Sequence, residues 1–291
     1  VFALRQRKLP HPLLDVSLLD VSLFRLRAFG ASVVTDVLAM FAMVGFGLFS
    51  SQYLQLVYGL RPWGAGLWTL PAAGATMVGA TLVAVLVRRI RPAYVISAAL
   101  LLTAAGFGVI ARVEADSDLA LVVTGATMTA AGVGVVLTLA ADLIIAAAPP
   151  ERAGSAFGLS ETCAEFGGAL GIAILDSIGA AVYRRSIDDD MPSGIPEAAR
   201  EVAHETLGGA VQVAGQLPTD LSGLLPAASR EAFTEGMRIA SGTAAGVMCV
   251  AAVPAALLLR HLRIGPVGPS AGDPHTAASR ARDHDAELSP R

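Results

Sequence analysis

Residues 119–143 read LALVVTGATMTAAGVGVVLTLAADL, twenty-five positions whose single ionisable side chain, Asp142, stands next to the end. Coiled as an α-helix at about 1.5 Å per residue, the stretch reaches about 37 Å, enough to cross a hydrocarbon core about 30 Å thick. Residues 30–50, 64–87, 93–111, 155–182 and 239–259 have the same character, which makes six such blocks. The chain of 291 residues is 54% apolar and 15% charged, and its mean hydropathy is +0.61. Ordinary soluble domains carry about 25% charge. A soluble fold is therefore excluded, and the sequence predicts an all-α integral membrane protein with six transmembrane helices.

Around these spans the chain divides simply. Residues 1–28 form a basic juxtamembrane segment with Arg5, Arg7, Lys8, Arg25 and Arg27, in which Asp15–Leu19 (DVSLL) is followed at once by Asp20–Phe24 (DVSLF), a local duplication. Residues 29–259 carry the six-helix bundle, with a long external loop at 184–236, and residues 260–291 are expected as a disordered cytoplasmic tail. In the long loop, Val202, Leu207, Val211, Ala214 and Leu217 recur at helical spacing up to Pro218, and 227–236 predicts a second short helix. The chain opens on Val1 in what reads as the middle of a protein, so a fragment is expected.

Six crossings put both termini on one side. Fourteen of the 21 Lys and Arg fall on that side, and most of the other seven lie in the one long loop. The positive-inside rule then makes both ends cytoplasmic, with Tyr53, Tyr58 and Trp63 at the outer interface where amphipathic rings settle. The net charge of −3, with basic residues scattered at span edges, gives no nucleic-acid surface. Cys163 and Cys249 lie inside apolar spans and form no CxxC. Neither an HExxH, a P-loop nor a histidine pair at metal-ligand spacing occurs, so an enzyme, a metal site and a cofactor are not expected.

Chemistry is concentrated in the carboxylates within the spans: Asp36, Asp142, Glu161, Glu165 and Asp176. An ionised group facing lipid at mid-helix costs about 2.5–3.5 kcal/mol, and no Lys or Arg lies deep in a span to pair with one. Glu161 and Glu165 are one turn apart and share a helix face. A step of about 100° per residue puts Gly154, Gly158, Gly168 and Asp176 in the same narrow sector. An acidic, glycine-lined stripe must meet protein or a water-filled cavity. Two close carboxylates that trade a proton for a lipophilic cation supply what cation–proton exchange requires, although hydrogen bonds to neighbouring helices also account for such a pair. Asp142 near a span end fits an interfacial position as well, Asp36 lies about two turns into its span, and Asp176 sits toward the outer end. Trp68, one turn before the kinking Pro71, either lines a cavity or packs toward lipid. Gly154/Gly158, Gly167/Gly171 and Gly242/Gly246 have the small-xxx-small spacing of close helix packing.

Four blocks carry a family resemblance: Phe49–Leu56 (FSSQYLQL), Gly66–Pro71 (GLWTLP), Arg91–Val95 (RPAYV) and Pro149–Gly154 (PPERAG) leading into Leu159–Gly171 (LSETCAEFGGALG). Over about residues 10–260 the chain resembles the fourteen-helix drug:proton antiporters of the major facilitator superfamily, of the QacA and methyl-viologen-resistance type. The resemblance covers the C-terminal half only, since the Gly/Asp/Arg loop and antiporter motif of the family's N-terminal half are absent. It implies a six-helix bundle forming one half of a major-facilitator fold in the bacterial cell (inner) membrane. It also implies that Glu161 and Glu165 are an acidic pair for protonation and cation recognition. The implied partners are protons, lipophilic or quaternary ammonium cations, membrane lipid and an N-terminal six- or eight-helix half. Two alternatives stay open: a truncated, non-transporting membrane protein that associates with a partner half, and a facilitator permease for another solute.

Overall fold

The structure, a computed structural model, describes residue 23 and residues 26–115, 117–149, 153–218 and 221–260. Most of the expected segment 1–28 and all but the first residue of the expected tail lie outside them. Among the described residues the regular structure is helical. Helix α1 (Arg27–Gln52) runs into a π-helical turn at Tyr53–Val57, and α2 is Pro62–Leu86, α3 Pro92–Ile110 and α4 Leu119–Ala147. Helix α5 (Ala153–Gly171) passes through a second π turn, Ile172–Asp176, into α6 (Ser177–Asp189). Two short helices, α7 (Glu197–Glu205) and α8 (Leu207–Ala214), precede α9 (Leu224–Leu259). Six stretches are long and apolar enough to span a membrane: Ala28–Val57, Pro62–Leu86, Pro92–Ile110, Leu119–Ala147, Ala153–Asp189 and Leu224–Leu259. The all-α, six-span reading therefore holds.

Local chemistry sets the boundaries. Pro62 and Pro92 each occupy a first helical position, where the missing N–H costs nothing, after an extended Arg61 or Arg91. Asp118 caps α4, its carboxylate accepting from the Ala120 N–H at 3.1 Å. Helix α4 packs along α1, α2 and α3, α9 along α1, α3 and α6, and α5 along α1. The span of α3 is 61% buried and that of α2 only 11%, so α3 sits inside the bundle and α2 at its rim. Phe46 meets Phe107 edge-on at 5.5 Å, joining α1 to α3 in the core.

Small residues let the helices approach. A Cβ on Gly132 of α4 would fall 2.5 Å from the Ala99 carbonyl oxygen of α3, and one on Gly167 of α5 would fall 2.5 Å from that of Val37 on α1. Of the three glycine pairs expected to pack, only Gly167/Gly171 does so. Among the described residues, nothing lies within 4 Å of a Cβ on Gly154, Gly158, Gly242 or Gly246.

Several expectations are corrected. The connection expected at 184–236 is narrower, because residues 184–189 end α6 and residues 224–236 begin α9. The separate helix at 227–236 is thus the first part of one 36-residue helix. The apolar repeat before Pro218 is split at Thr206, whose extended backbone ends α7 and whose hydroxyl caps α8 through Gly209 N–H at 3.1 Å. Tyr53 is fully buried inside the bundle, and its hydroxyl donates to the Glu114 carbonyl at 3.3 Å. Tyr58 and Trp63 are exposed.

Candidate functional site

The site is organised by the contact between α1 and α5. Gly167 lies against Val37 and Gly171 against Phe41, contacts that advance in the same sense, so the two helices run parallel. These contacts set α5 about four residues out of step with α1, so Asp36, about 13 Å into α1 at about 1.5 Å per residue, is level with about Phe166 of α5. Asp36 is buried, with 9% of its surface exposed. The neighbouring hydroxyls do not serve it. Ser32 donates to the Ala28 carbonyl at 3.0 Å and Thr35 to that of Ala31 at 2.7 Å, both within their own helix.

Glu161 and Glu165 are exposed on α5, next to the open Gly154 and Gly158. Neither has an ion-pair or hydrogen-bond partner among the described residues. Gly168, expected on the same stripe, is buried against Val44 of α1. The uniform step of about 100° also fails to reach Asp176, because the π turn Ile172–Asp176 winds more than 3.6 residues into a turn. Asp176 is exposed within that turn, and Asp142 is exposed near the end of α4. Among the described residues Asp36, Asp142 and Asp176 have no ion-pair or hydrogen-bond partner.

A cavity of about 360 Å³ opens between α1, α2 and α4, lined mainly by apolar atoms together with Phe46, Ser50, Ser51, Gln55, Thr69 and Thr76. Gln55 Nε2 donates to Ser51 Oγ at 2.9 Å, and Thr76 Oγ1 lies 3.0 Å from the Ala72 carbonyl and 3.3 Å from that of Ala130. Trp68 is half-exposed on α2 and is not part of this lining. The sequence reading missed the cavity as a site, although its signal was present: Ser50, Ser51 and Gln55 are hydrogen-bonding groups one turn apart at the end of an apolar span.

No described residue of α5 lines this cavity. The chain is 33% identical over 261 residues to the multidrug efflux pump LfrA of Mycolicibacterium smegmatis, covering 90% of this chain and 50% of that protein. It is 29% identical to the methyl viologen resistance protein SmvA of Salmonella typhimurium (81% of this chain, 47% of that protein). To the multidrug resistance protein Stp of Mycobacterium tuberculosis it is 28% identical (86% and 47%). The chain spans about half the length of these curated relatives. Residues 4–172 match the family model of the Major Facilitator Superfamily, and the chain belongs to that superfamily.

Proposed function

We propose that the chain supplies the C-terminal half of a proton-coupled efflux antiporter for lipophilic and quaternary ammonium cations. It sits in a bacterial inner membrane with both termini in the cytoplasm. The observation that carries this reading is the exposed Glu161/Glu165 face, unpaired among the described residues, on a helix apolar enough to span a membrane. An acidic face of that kind must meet water or protein, and in transporters built from two repeats the substrate site lies between the halves. The relatives named for multidrug efflux and methyl viologen resistance support a cationic, lipophilic substrate class. In the mechanism, a cation entering from the cytoplasm and inner leaflet meets the two glutamates and displaces protons. Rocking of the halves exposes the site outward, and protons entering there release the cation.

The test is cation-dependent proton release by the assembled transporter in proteoliposomes. Replacing both residues, Glu161→Gln with Glu165→Gln, is expected to abolish release while leaving assembly intact. Release that persists in the double variant would remove these residues from the exchange.

A further inference from the structure

We propose that the outer part of α9 binds one zwitterionic phospholipid with a primary ammonium headgroup, a phosphatidylethanolamine. Its phosphate meets Arg238, its ammonium meets Glu231 and Glu114, and an acyl chain lies along the open glycine face at Gly242. Proton exchange plays no part in this site. Only the orientation, which puts this end of α9 in the outer leaflet, comes from the reading above.

Two cavities meet at this place. One, of about 530 Å³, is lined by Glu114 and Ala115 from the α3–α4 connection and by Glu231, Thr234, Glu235 and Arg238 of α9. The other, of about 440 Å³, is lined by Ala111 past the end of α3 and by Glu235, Arg238, Ile239, Gly242 and Thr243. Because Glu235 and Arg238 belong to both, the two form one groove that is polar at one end and mainly apolar at the other. Arg238 is the last charged residue before the apolar run 239–259, which sets the polar end at headgroup level and the remainder in hydrocarbon. Glu231, Glu235 and Arg238 follow one another at four and three residues, so they share a face of α9. The Arg238 Nη1 pairs with Glu235 at 2.8 Å and its Nε donates to the Ala111 carbonyl at 3.4 Å. Its Nη2 donors have no partner among the described residues and are free for a phosphate oxygen. The carboxylates of Glu114 and Glu231 are likewise unpaired among the described residues, and both residues are exposed. No three acidic, His or Cys side chains among the described residues stand close enough to hold a metal ion, so the carboxylates are spread for a larger organic cation. A primary ammonium donates three hydrogen bonds and answers both carboxylates, whereas a quaternary ammonium donates none. Three carboxylates against one guanidinium also oppose a lipid of net negative charge. At the apolar end a Cβ on Gly242 or Gly246 would meet nothing within 4 Å among the described residues, and Ile239 is 45% exposed. That trough continues the groove to membrane depth, which selects a lipid over a water-soluble zwitterion.

The experiment is native mass spectrometry of the assembled protein in detergent, titrated separately with dioleoyl phosphatidylethanolamine, phosphatidylcholine and phosphatidylglycerol. Wild type is expected to retain one phosphatidylethanolamine about tenfold more tightly than either other lipid, the worth of one charge-assisted hydrogen bond. Glu114→Gln with Glu231→Gln should abolish that preference over phosphatidylcholine, and Gly242→Leu, which fills the trough, should weaken retention of phosphatidylethanolamine. Arg112→Ala removes another exposed arginine, one that lines a separate groove with Leu121, and should change nothing. A photoactivatable phosphatidylethanolamine should crosslink wild type at residues 111–115 and 231–246, which keeps the test valid if a variant does not fold. Equal retention of the three lipids, a preference that survives the double variant, or crosslinks confined to other helices would overturn the site. So would a loss in Arg112→Ala as large as in the double variant, or a dimer formed through α9 that carries no lipid. Proton release is not read in any of these measurements, so their outcome stands apart from that of the exchange reading.

Discussion

At the scale of single residues, identical glycines have opposite roles. Gly167 and Gly158 lie on the same helix, yet a Cβ on the first would press on the Val37 carbonyl and on the second would meet nothing within 4 Å. Exchanging glycine for alanine in an exposed helix position removes backbone entropy from the unfolded chain and gains up to about 1 kcal/mol. At Gly167 that gain is outweighed by displacement of the α1 backbone, at about 1–3 kcal/mol. Gly167→Ala is therefore expected to lower the midpoint of SDS-induced unfolding, followed by circular dichroism, and Gly158→Ala to leave it unchanged or raise it. The small-xxx-small spacing of the sequence does not separate the two cases. It names a face able to pack, and only the tertiary arrangement says whether a neighbour is there.

Among the elements, the spans were legible because apolar composition over twenty residues is a property of the helix alone. What depended on neighbouring helices was not. The contact of Gly167 with Val37 joins residues 130 positions apart, and no helical period relates them. The π turn at Ile172–Asp176 has no composition of its own, so Asp176 was placed by a phase that the helix does not keep. Helix α9 was read too short because residues 224–238 carry Arg230, Glu231, Glu235 and Arg238, which resemble a loop in hydropathy while remaining helical. Two of these charges fasten the bundle's end. Arg230 Nε donates to the Leu56 carbonyl at 3.0 Å, within the first π turn, and Arg238 pairs with Glu235 at 2.8 Å while donating to Ala111 O at 3.4 Å. Removing the side chain in Arg230→Ala leaves the Leu56 carbonyl without its charged donor, a loss of about 1.5–3 kcal/mol for such a bond, less where water replaces it. Amide hydrogen exchange should then quicken at residues 53–60 and 224–232 and stay unchanged in α3. Uniform quickening across the bundle would mean that the contact holds the whole fold and not its end.

For the whole molecule, the exposed acids set a condition on what covers the bundle. Left in lipid, Glu161 and Glu165 as ionised groups would together cost about 5–7 kcal/mol by insertion scales, a large share of the stability of any domain of this size. Among the described residues Gly154 and Gly158 beside them are open, so the α5 face has room for another helix or for a water-filled cavity. The chain spans about half the length of its relatives, and a second helical half is the cover we propose. An antibody raised to residues 190–218, applied to native membranes, is accordingly expected to detect a species near twice the 29.7 kDa of this chain. Should the species be near 30 kDa, the same condition requires a separate partner. A cysteine placed by Gly158→Cys must then react with a water-soluble maleimide in the assembled state, or crosslink to a second chain. A 30 kDa monomer whose Gly158→Cys reacts only with reagents dissolved in the lipid would put the glutamates in hydrocarbon and overturn both the paired-half architecture and the exchange site built on it.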